Sequence, residues 1–373
     1  MKKSSRREII ISGGGTAGHL LPGLALAHAL VEQGVANDSE EIHFVGSKRG
    51  IEKKLVPSAG FKLTQLSGDG IQRKWNLKNV ISICGIFWGL AQALFLLLGR
   101  KPRIVVSLGG FASVPCALSA AILRIPLLVM EQNAVPGLAN RVFARFAKAT
   151  VVAFENTGLP RAANLGNPVR ESFITRADEN NREASRLRLG VDERSSFLLV
   201  FGGSLGAQRI NESIKDLVES WDGESIVVHH VIGERDFNDE RFKASIPTDR
   251  VDYRPVEYES DMPGVMTAAD LVICRAGATT VAEISIVGVP SVLIPLPNAP
   301  GDHQTKNARE LYACGGAVYL PNDELGGNRL KDEVAKILSN KQGLKDMAMA
   351  AKQQGRPKAA LDIANLVGEH AYD

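Results

Sequence analysis

The sequence predicts an α/β protein built from two Rossmann-like, doubly wound domains facing a cleft, and three observations carry that expectation. Strand-like segments rich in Val, Ile and Leu alternate with helix-like segments along nearly the whole chain, as in parallel sheets with crossover helices. The alternation breaks once, at GNPVR (166–170) and the polar stretch that runs to about Glu193, and then restarts. Both halves open alike, since IIISGGG at 9–15 is echoed by LLVFGGSLGA at 198–207. A length of 373 residues leaves room for two cores of ordinary size.

In the first half, strands are expected at 8–12, 42–46, 61–66, 103–108, 127–131 and 150–154, with helices at about 19–33, 77–98, 112–123 and 137–148. In the second half they are expected at 197–201, 226–232, 251–254, 271–274, 291–295 and 317–320, with helices between them. The last segment, 359–369, is amphipathic and is expected to cross back and brace the first domain.

The stretch VISICGIFWGLAQALFLLL at 80–98 carries no charge and reaches the ~18 apolar residues of a transmembrane candidate. Ser82, Gly85, Gly89 and Gln92 dilute it, and a span would put the third and fourth strands of one sheet on opposite sides of a bilayer. A buried core helix is one alternative. The preferred expectation is a partly exposed helix at a membrane interface, with Trp75, Phe87, Trp88 and 94–98 toward acyl chains and cations such as Lys74 and Lys78 toward anionic headgroups.

Composition excludes several classes. A hydrophobic fraction of 45% and a charged fraction of 23% describe a soluble globular chain, and a net charge of +3 is too small for nucleic acid to be the main partner. Cys84, Cys116, Cys274 and Cys314 are scattered without CxxC, which argues against a zinc site or disulfide framework and for a reducing compartment. The apolar run behind the basic N-terminus stops at Ser12, too soon for a signal-peptide core.

The chemistry concentrates in glycine turns. IIISGGGTAGHLLPG at 9–23 runs strand, turn, helix, an arrangement that presents backbone N–H groups to phosphate. Gly13-x-Gly15-x-x-Gly18 is formally a dinucleotide fingerprint. The second strand, however, ends FVGSKR at 44–49, without the acidic residue that would hold an NAD ribose. Lys48 and Arg49 would suit an NADP phosphate, so an NADP oxidoreductase stays open. His19 adds an imidazole that phosphate cradling alone does not need, which points to proton transfer. SLGGFASVP at 107–115 is a second such turn. MEQNAVPG at 130–137 then ends a strand in Glu131, Gln132 and Asn133, groups suited to sugar hydroxyls.

In the second half, CRAGATTVAE at 274–283 ends a strand and starts a helix. Thr279 or Thr280 could cap that helix with Glu283 at capping-box spacing. Alternatively, the helix N-terminus faces a diphosphate while Glu283 accepts from ribose hydroxyls. GDHQTKNA at 301–308 brings further amide and carboxylate groups for a hexose. No D-x-D pair occurs, so no metal site is expected, and a diphosphate leaving group would rely on helix dipoles, backbone N–H groups and hydroxyls such as Ser204 and Thr280.

Taken in order, GGGTAGH (13–19), GGFASVP (109–115), EQN (131–133), GNPVR (166–170), GGSLGA (202–207), CRAGATTVAE (274–283) and Gln304 with Asn307 resemble the MurG family over nearly the whole chain. The resemblance implies a GT-B fold and an inverting transferase on the cytoplasmic face of the inner membrane. Such an enzyme moves N-acetylglucosamine from UDP-N-acetylglucosamine to the muramyl C4 hydroxyl of the undecaprenyl-pyrophosphoryl pentapeptide lipid I, giving lipid II, with no cofactor required. Residues 1–166 would take the acceptor and membrane, with about 357–373 packed back on them, and 167–356 would take the donor. By position, Arg170 and the backbone near Glu259 would border the uracil, Glu283 the ribose, and Ser204 with Ala278, Thr279 and Thr280 the phosphates. Gln304 and Asn307 would meet the sugar, with Thr16, Ala17, Gly18 and Asn133 nearby. Gly13, Gly14 and Gly15 with Gly109, Gly110 and Phe111 would hold the acceptor diphosphate. His19 is the leading base and Glu131 its rival. Ala17, Phe111, Leu205 and Thr279 depart from the family pattern, where glycine, tyrosine, glutamine and leucine are common. A UDP-N-acetylglucosamine 2-epimerase or a glycolipid synthase of the same fold is the alternative within that class.

Overall fold

The computed structural model describes residues 8–48, 50–67, 77–177, 179–203, 206–243, 249–326 and 328–371. The chain divides into two compact units: Met1–Arg170 with Arg356–Asp373, and Glu171–Gly355.

The first unit holds a seven-stranded, all-parallel sheet. Its strands are Ile9–Ser12 (β1), Ile42–Ser47 (β2), Lys62–Leu66 (β3), Ile104–Ser107 (β4), Leu127–Glu131 (β5), Ala149–Val152 (β6) and Ala162–Asn164 (β7), in the order β3-β2-β1-β4-β5-β6-β7. The second unit holds six parallel strands: Ser196–Phe201 (β8), Ile226–Val231 (β9), Val251–Val256 (β10), Leu271–Cys274 (β11), Ser291–Leu293 (β12) and Ala317–Tyr319 (β13), ordered β10-β9-β8-β11-β12-β13. Both orders reverse direction once, between β1 and β4 and between β8 and β11. Doubly wound sheets bind ligands at such switch points, outside the carboxyl ends of the strands.

Continuous apolar runs form these strands because both faces of each sheet are covered. Ile9 and Ile11 join one core with Leu20, Leu26 and Leu30, whereas Ile10 points the other way into a core with Val45, Val105, Ala93 and Leu97. The closing helix Ala359–His370 contributes Ile363, Ala364 and Val367 to the first of these cores and packs on the helix Ala17–Glu32. The expected helix at 137–148 is shorter, Leu138–Phe143, and a short helix, Glu52–Ser58, stands where none was expected.

Among the described residues, no helix is long and apolar enough to cross a membrane. The helix Leu77–Arg100 buries Ala93 and Leu97 but leaves Trp88, Phe95 and Leu98 exposed at 62%, 76% and 52%, so it is not a wholly buried helix. Trp75 and Lys74 lie outside the described residues, as do the side chains of Lys78 and Phe87. Ile122, Leu138, Val142 and Phe146 are further exposed apolar side chains of this unit.

Three histidines, His43, His229 and His230, are buried on strands among the described residues. His43 on β2 lies 2.7 Å from Thr64 Oγ1, and its pKa is lowered to about 4, chiefly by burial and then by Arg100, with Lys62 adding and Glu8 opposing. His230 on β9 sits 2.9 Å from the Tyr253 hydroxyl and is lowered to about 3 by burial and by the neighbouring His229. A histidine held neutral in the fold stabilises above its unfolded pKa, and that stability is lost as pH falls from 6.5 toward the folded value. Each contribution is of order 3 kcal/mol. Denaturation midpoints measured between pH 7 and 4 are expected to fall, and His43→Gln to flatten that fall; an unaltered pH slope in the variant would contradict the assignment.

Candidate active site

In the first unit, three strand ends meet at the switch point. Beyond β1, Gly13, Gly14 and Gly15 all take positive φ, and Thr16 is the N-cap of Ala17–Glu32. Thr16, Ala17 and Gly18 are exposed and His19 is half-buried in the first turn, with its Nδ1 3.0 Å from Thr16 Oγ1. Beyond β4, Gly109 and Gly110 also take positive φ, and a side chain placed on Gly110 would lie 3.8 Å from His19 Cε1. The imidazole therefore sits beside the second glycine turn. Phe111 follows, 36% exposed.

The expected phosphate cradle is partly spent. Gly13 N–H donates to Val45 O at 3.0 Å, extending the β1–β2 ladder, and Gly15 N–H donates to Glu52 Oε2 at 3.0 Å. Two of the three amides in Gly13–Gly15 thus already have acceptors inside the protein.

The end of β5 turns most of its polar groups inward. Glu131 and Gln132 are buried at 3% and 2% exposure and do not present themselves to a ligand. Glu131 Oε1 accepts from Asn133 N–H at 3.0 Å and Asn133 Nδ2 at 3.3 Å, while Oε2 accepts from Gly137 N–H and Asn140 Nδ2, both at 2.9 Å. A base needs an accessible lone pair, and this carboxylate spends its own on closing the 131–137 loop. Glu131 is therefore a poor rival to His19. Gln132 Nε2 donates to Leu108 O at 3.1 Å and ties the end of β5 to that of β4. Asn133 remains half-buried.

In the second unit, the turn after β8 runs through Gly202 and Gly203; Ser204 and Leu205 lie outside the described residues. After β11, the helix Ala278–Val287 begins with Gly277 as N-cap and no side-chain cap bond. Thr279 and Thr280 are thus inside the helix, and Glu283 stands six positions past the cap. This overturns the capping-box reading, because a capping carboxylate must sit at the third position to reach back. Glu283 is 6% exposed, and together with burial its charge pushes the Cys274 thiol up.

Gln304 Oε1 accepts from Leu296 N–H at 2.9 Å, which aims its amide nitrogen elsewhere. Asn307 is fully buried and donates to Ala276 O at 3.2 Å, so it holds the 275–278 turn and does not face a sugar directly. Glu259 Oε1 accepts from Asp261 N–H at 2.6 Å and its Oε2 lies 3.0 Å from His229 Nε2, fixing the loop between β10 and the next helix. Arg170 is the last residue of the first unit and is half-buried.

Several organising residues were not foreseen. Arg275 Nη1 donates to Ile294 O, Pro295 O and Asn322 Oδ1 at 2.8–3.2 Å, binding the end of β11 to that of β12; burial lowers its pKa to about 10, so it stays charged at neutral pH. Asn211 donates to Ile232 O and Asp236 Oδ2 and meets His230 Nε2 at 3.0 Å. Asn140 and Glu52 play the matching parts in the first unit.

The glycosyltransferase family 28 N-terminal domain matches residues 9–152, and the family 28 C-terminal domain matches 197–363. A UDP-N-acetylglucosamine–N-acetylmuramyl-(pentapeptide) pyrophosphoryl-undecaprenol N-acetylglucosamine transferase of Alkalilimnicola ehrlichii is 39% identical over 97% of this chain and 99% of its own. The chain belongs to the MurG family. A Syntrophus aciditrophicus transferase of the same name is 38% identical over 96% of this chain and 97% of its own. The crystal structure of Acinetobacter baumannii MurG superposes with a TM-score of 0.75 at 26% identity, covering 97% of this chain and 99% of that one. The two parallel-sheet domains are accordingly of GT-B type, and the MurG family replaces the oxidoreductase alternative that the first glycine loop had left open.

Glu131→Gln turns an acceptor oxygen into a donor against the Gly137 or Asn140 N–H, so a loss of about 1–3 kcal/mol in unfolding free energy is expected. The pH–rate profile of the folded variant should keep its shape. A displaced limb of that profile would restore Glu131 as a base.

Proposed function

We propose that this chain transfers N-acetylglucosamine from UDP-N-acetylglucosamine to the muramyl C4 hydroxyl of undecaprenyl-pyrophosphoryl N-acetylmuramyl-pentapeptide, the lipid I to lipid II step of peptidoglycan synthesis. Full-length identity of 38–39% to transferases named for that reaction supports the substrates. The observation that carries the donor side is Glu283, a buried carboxylate behind a helix N-terminus at the switch point of the second sheet. In this reading Glu283 accepts from the ribose hydroxyls. Ser204 and the first turn at Ala278, Thr279 and Thr280 stabilise the diphosphate through N–H groups, hydroxyls and helix dipole. Arg170 and the loop held by Glu259 border the uracil. The amide nitrogen of Gln304 donates to a sugar hydroxyl, and Asn307 acts from behind by fixing the turn.

On the acceptor side His19 removes the proton. For this, Nδ1–H donates to Thr16 Oγ1, leaving Nε2 as the base. The C4 oxygen then attacks the anomeric carbon, the bond from that carbon to the UDP oxygen breaks, UDP leaves with the electron pair, and Nε2 keeps the proton. Inversion follows from the single displacement. Exposed Thr16, Ala17 and Gly18, with half-buried Asn133, border the transferred sugar, and the Gly109–Phe111 turn supplies N–H groups to the acceptor diphosphate. No cofactor enters these steps.

Exposed Trp88, Phe95, Leu98, Ile122, Leu138, Val142 and Phe146, with the cations Arg141, Arg145 and Lys148, support peripheral attachment to the anionic cytoplasmic face of the plasma membrane.

His19→Ala should lower kcat by about 10²–10⁴-fold while leaving UDP affinity intact. Glu283→Ala should weaken UDP binding by about tenfold in calorimetry, the scale of one lost charged hydrogen-bond pair. Near-normal turnover of the first, or unchanged UDP affinity of the second, removes the corresponding role. Paired Phe95→Ser and Phe146→Ser changes should reduce cosedimentation with anionic vesicles by roughly tenfold or more; undiminished binding would reject this face.

A further inference from the structure

The helix Lys341–Gln353 is sparsely covered. Of its thirteen residues only Ala351 is fully buried, whereas the eleven-residue helix before it, Arg329–Ser339, buries five. One face of Lys341–Gln353 lines a groove of about 750 Å³ within the second unit. Lys341, Leu344, Lys345, Ala348, Met349 and Lys352 line it at the i, i+3, i+4 spacing of a single helical stripe. The facing wall includes Val287, Val289 and Pro290, at and beyond the end of Ala278–Val287. The stripe is apolar along its middle and carries a lysine at each end and one between.

Arg182, Lys341, Lys345 and Lys352 against the single carboxylate of Asp270 leave the lining four minus one, or +3. Asp270 is already satisfied: its Oδ1 accepts from Arg182 Nη2 at 2.6 Å, and its Oδ2 from Arg186 Nη1 at 2.9 Å and Phe197 N–H at 2.7 Å. Arg182 gives its other terminal nitrogen to Thr267 O and Ala269 O. The lysines therefore set the charge that a ligand meets. Lys341 comes within 4.0 Å of Glu224, but both side chains lie mostly in solvent, where such a pair is weak. The Lys352 stem is packed down, since a side chain placed on Gly288 would lie 2.9 Å from its Cβ and 3.2 Å from its Cδ. Its ammonium is thus presented on a partly fixed stem.

From Lys341 to Lys352 the helix runs about 16 Å, roughly three turns. A small molecule is held where most of its surface is enclosed. Here the three lysines and Met349, itself 55% exposed, lie open along that length. A methionine-bearing apolar stripe bordered by cations matches the face of an amphipathic helix bearing carboxylates. We propose that this groove docks an acidic amphipathic helix of a partner protein, with its apolar face on Leu344, Ala348 and Met349 and its carboxylates on Lys341, Lys345 and Lys352. The groove lies at the C-terminal end of Ala278–Val287, about 15 Å along that helix from the N-terminus read as the donor site. Docking is therefore independent of the reaction assigned to the chain.

The test uses the full chain and a fluorescein-labelled synthetic peptide of roughly 18 residues, long enough to form a helix, with leucines on one face and glutamates beside them. A second peptide carries lysines in place of the glutamates. Fluorescence anisotropy should show saturable binding of the acidic peptide that weakens as salt rises, and roughly tenfold weaker binding of the basic one. Lys345→Glu combined with Lys352→Glu should reverse that preference. Met349→Ser should weaken the acidic peptide by about tenfold with the same salt dependence. These positions are exposed or half-buried, so Tm should not change, and the Met349 methyl resonance should move on addition of the acidic peptide. Equal binding of the two peptides would overturn the proposal, as would an unaltered preference in the double variant or an unmoved Met349 methyl. If the double variant keeps its peptide preference but loses cosedimentation with anionic vesicles, or loses self-association in sedimentation velocity, the groove faces lipid or a second copy of the chain and the proposal falls.

Discussion

A backbone amide at the carboxyl end of a buried parallel strand has run out of ladder partners where little water can replace them, and the loops of this protein are shaped by how that need is met. In the first unit the acceptors are buried carboxylates. Glu52 serves Gly15 and Ser47, and Glu131 serves Asn133 and Gly137. Each carboxylate gathers amides from a turn that would otherwise depend on solvent, and each holds that turn against a neighbouring element. The turns after β1 and β5 are consequently fixed before any ligand arrives, and the imidazole of His19 lies beside Gly110. Preorganisation of this kind is what proton transfer demands, since a displacement of an ångström can cost orders of magnitude in rate.

The second unit meets the same need with cations and amides. Arg275 gathers the carbonyls of Ile294 and Pro295, Asn307 takes that of Ala276, and Asn211 takes that of Ile232. Both units use both devices: Gln132 and Asn140 take the carbonyls of Leu108 and Met130 in the first, and Glu259 accepts from Asp261 N–H in the second.

Much of this architecture was legible in the sequence. All six strands expected in the second half occur within two residues of their bounds, because uninterrupted Val, Ile and Leu runs bounded by glycine turns have little else to become. β7, three residues of Ala-Ala-Asn, carried no such signal and exists because β6 offers it an edge. The position of the glycine turns was equally plain, but which of them hold a ligand was not. Glu131, Glu52 and Asn307 show the reason: a polar side chain at the end of a strand or in the first turns of a helix serves substrate or scaffold according to which way it points, and the spacing of residues does not record direction. Glu283 went the other way, since its distance from two threonines imitated a cap that the helix, capped at Gly277 two or three residues earlier, does not use.

The first unit is assembled from both ends of the chain. Gly166, at φ +89, admits the Arg356 side chain where the polypeptide leaves for the second unit and where it comes back, and Ile363, Ala364 and Val367 then complete the core begun by Ile9 and Ile11. On the ribosome, the sheet of the first unit emerges early but waits for the last dozen or so residues to cover one face, while the inserted second unit has all its own strands in hand before that. The order of synthesis and the order of completion are therefore reversed, and an early-terminated chain loses the roof of the domain made first.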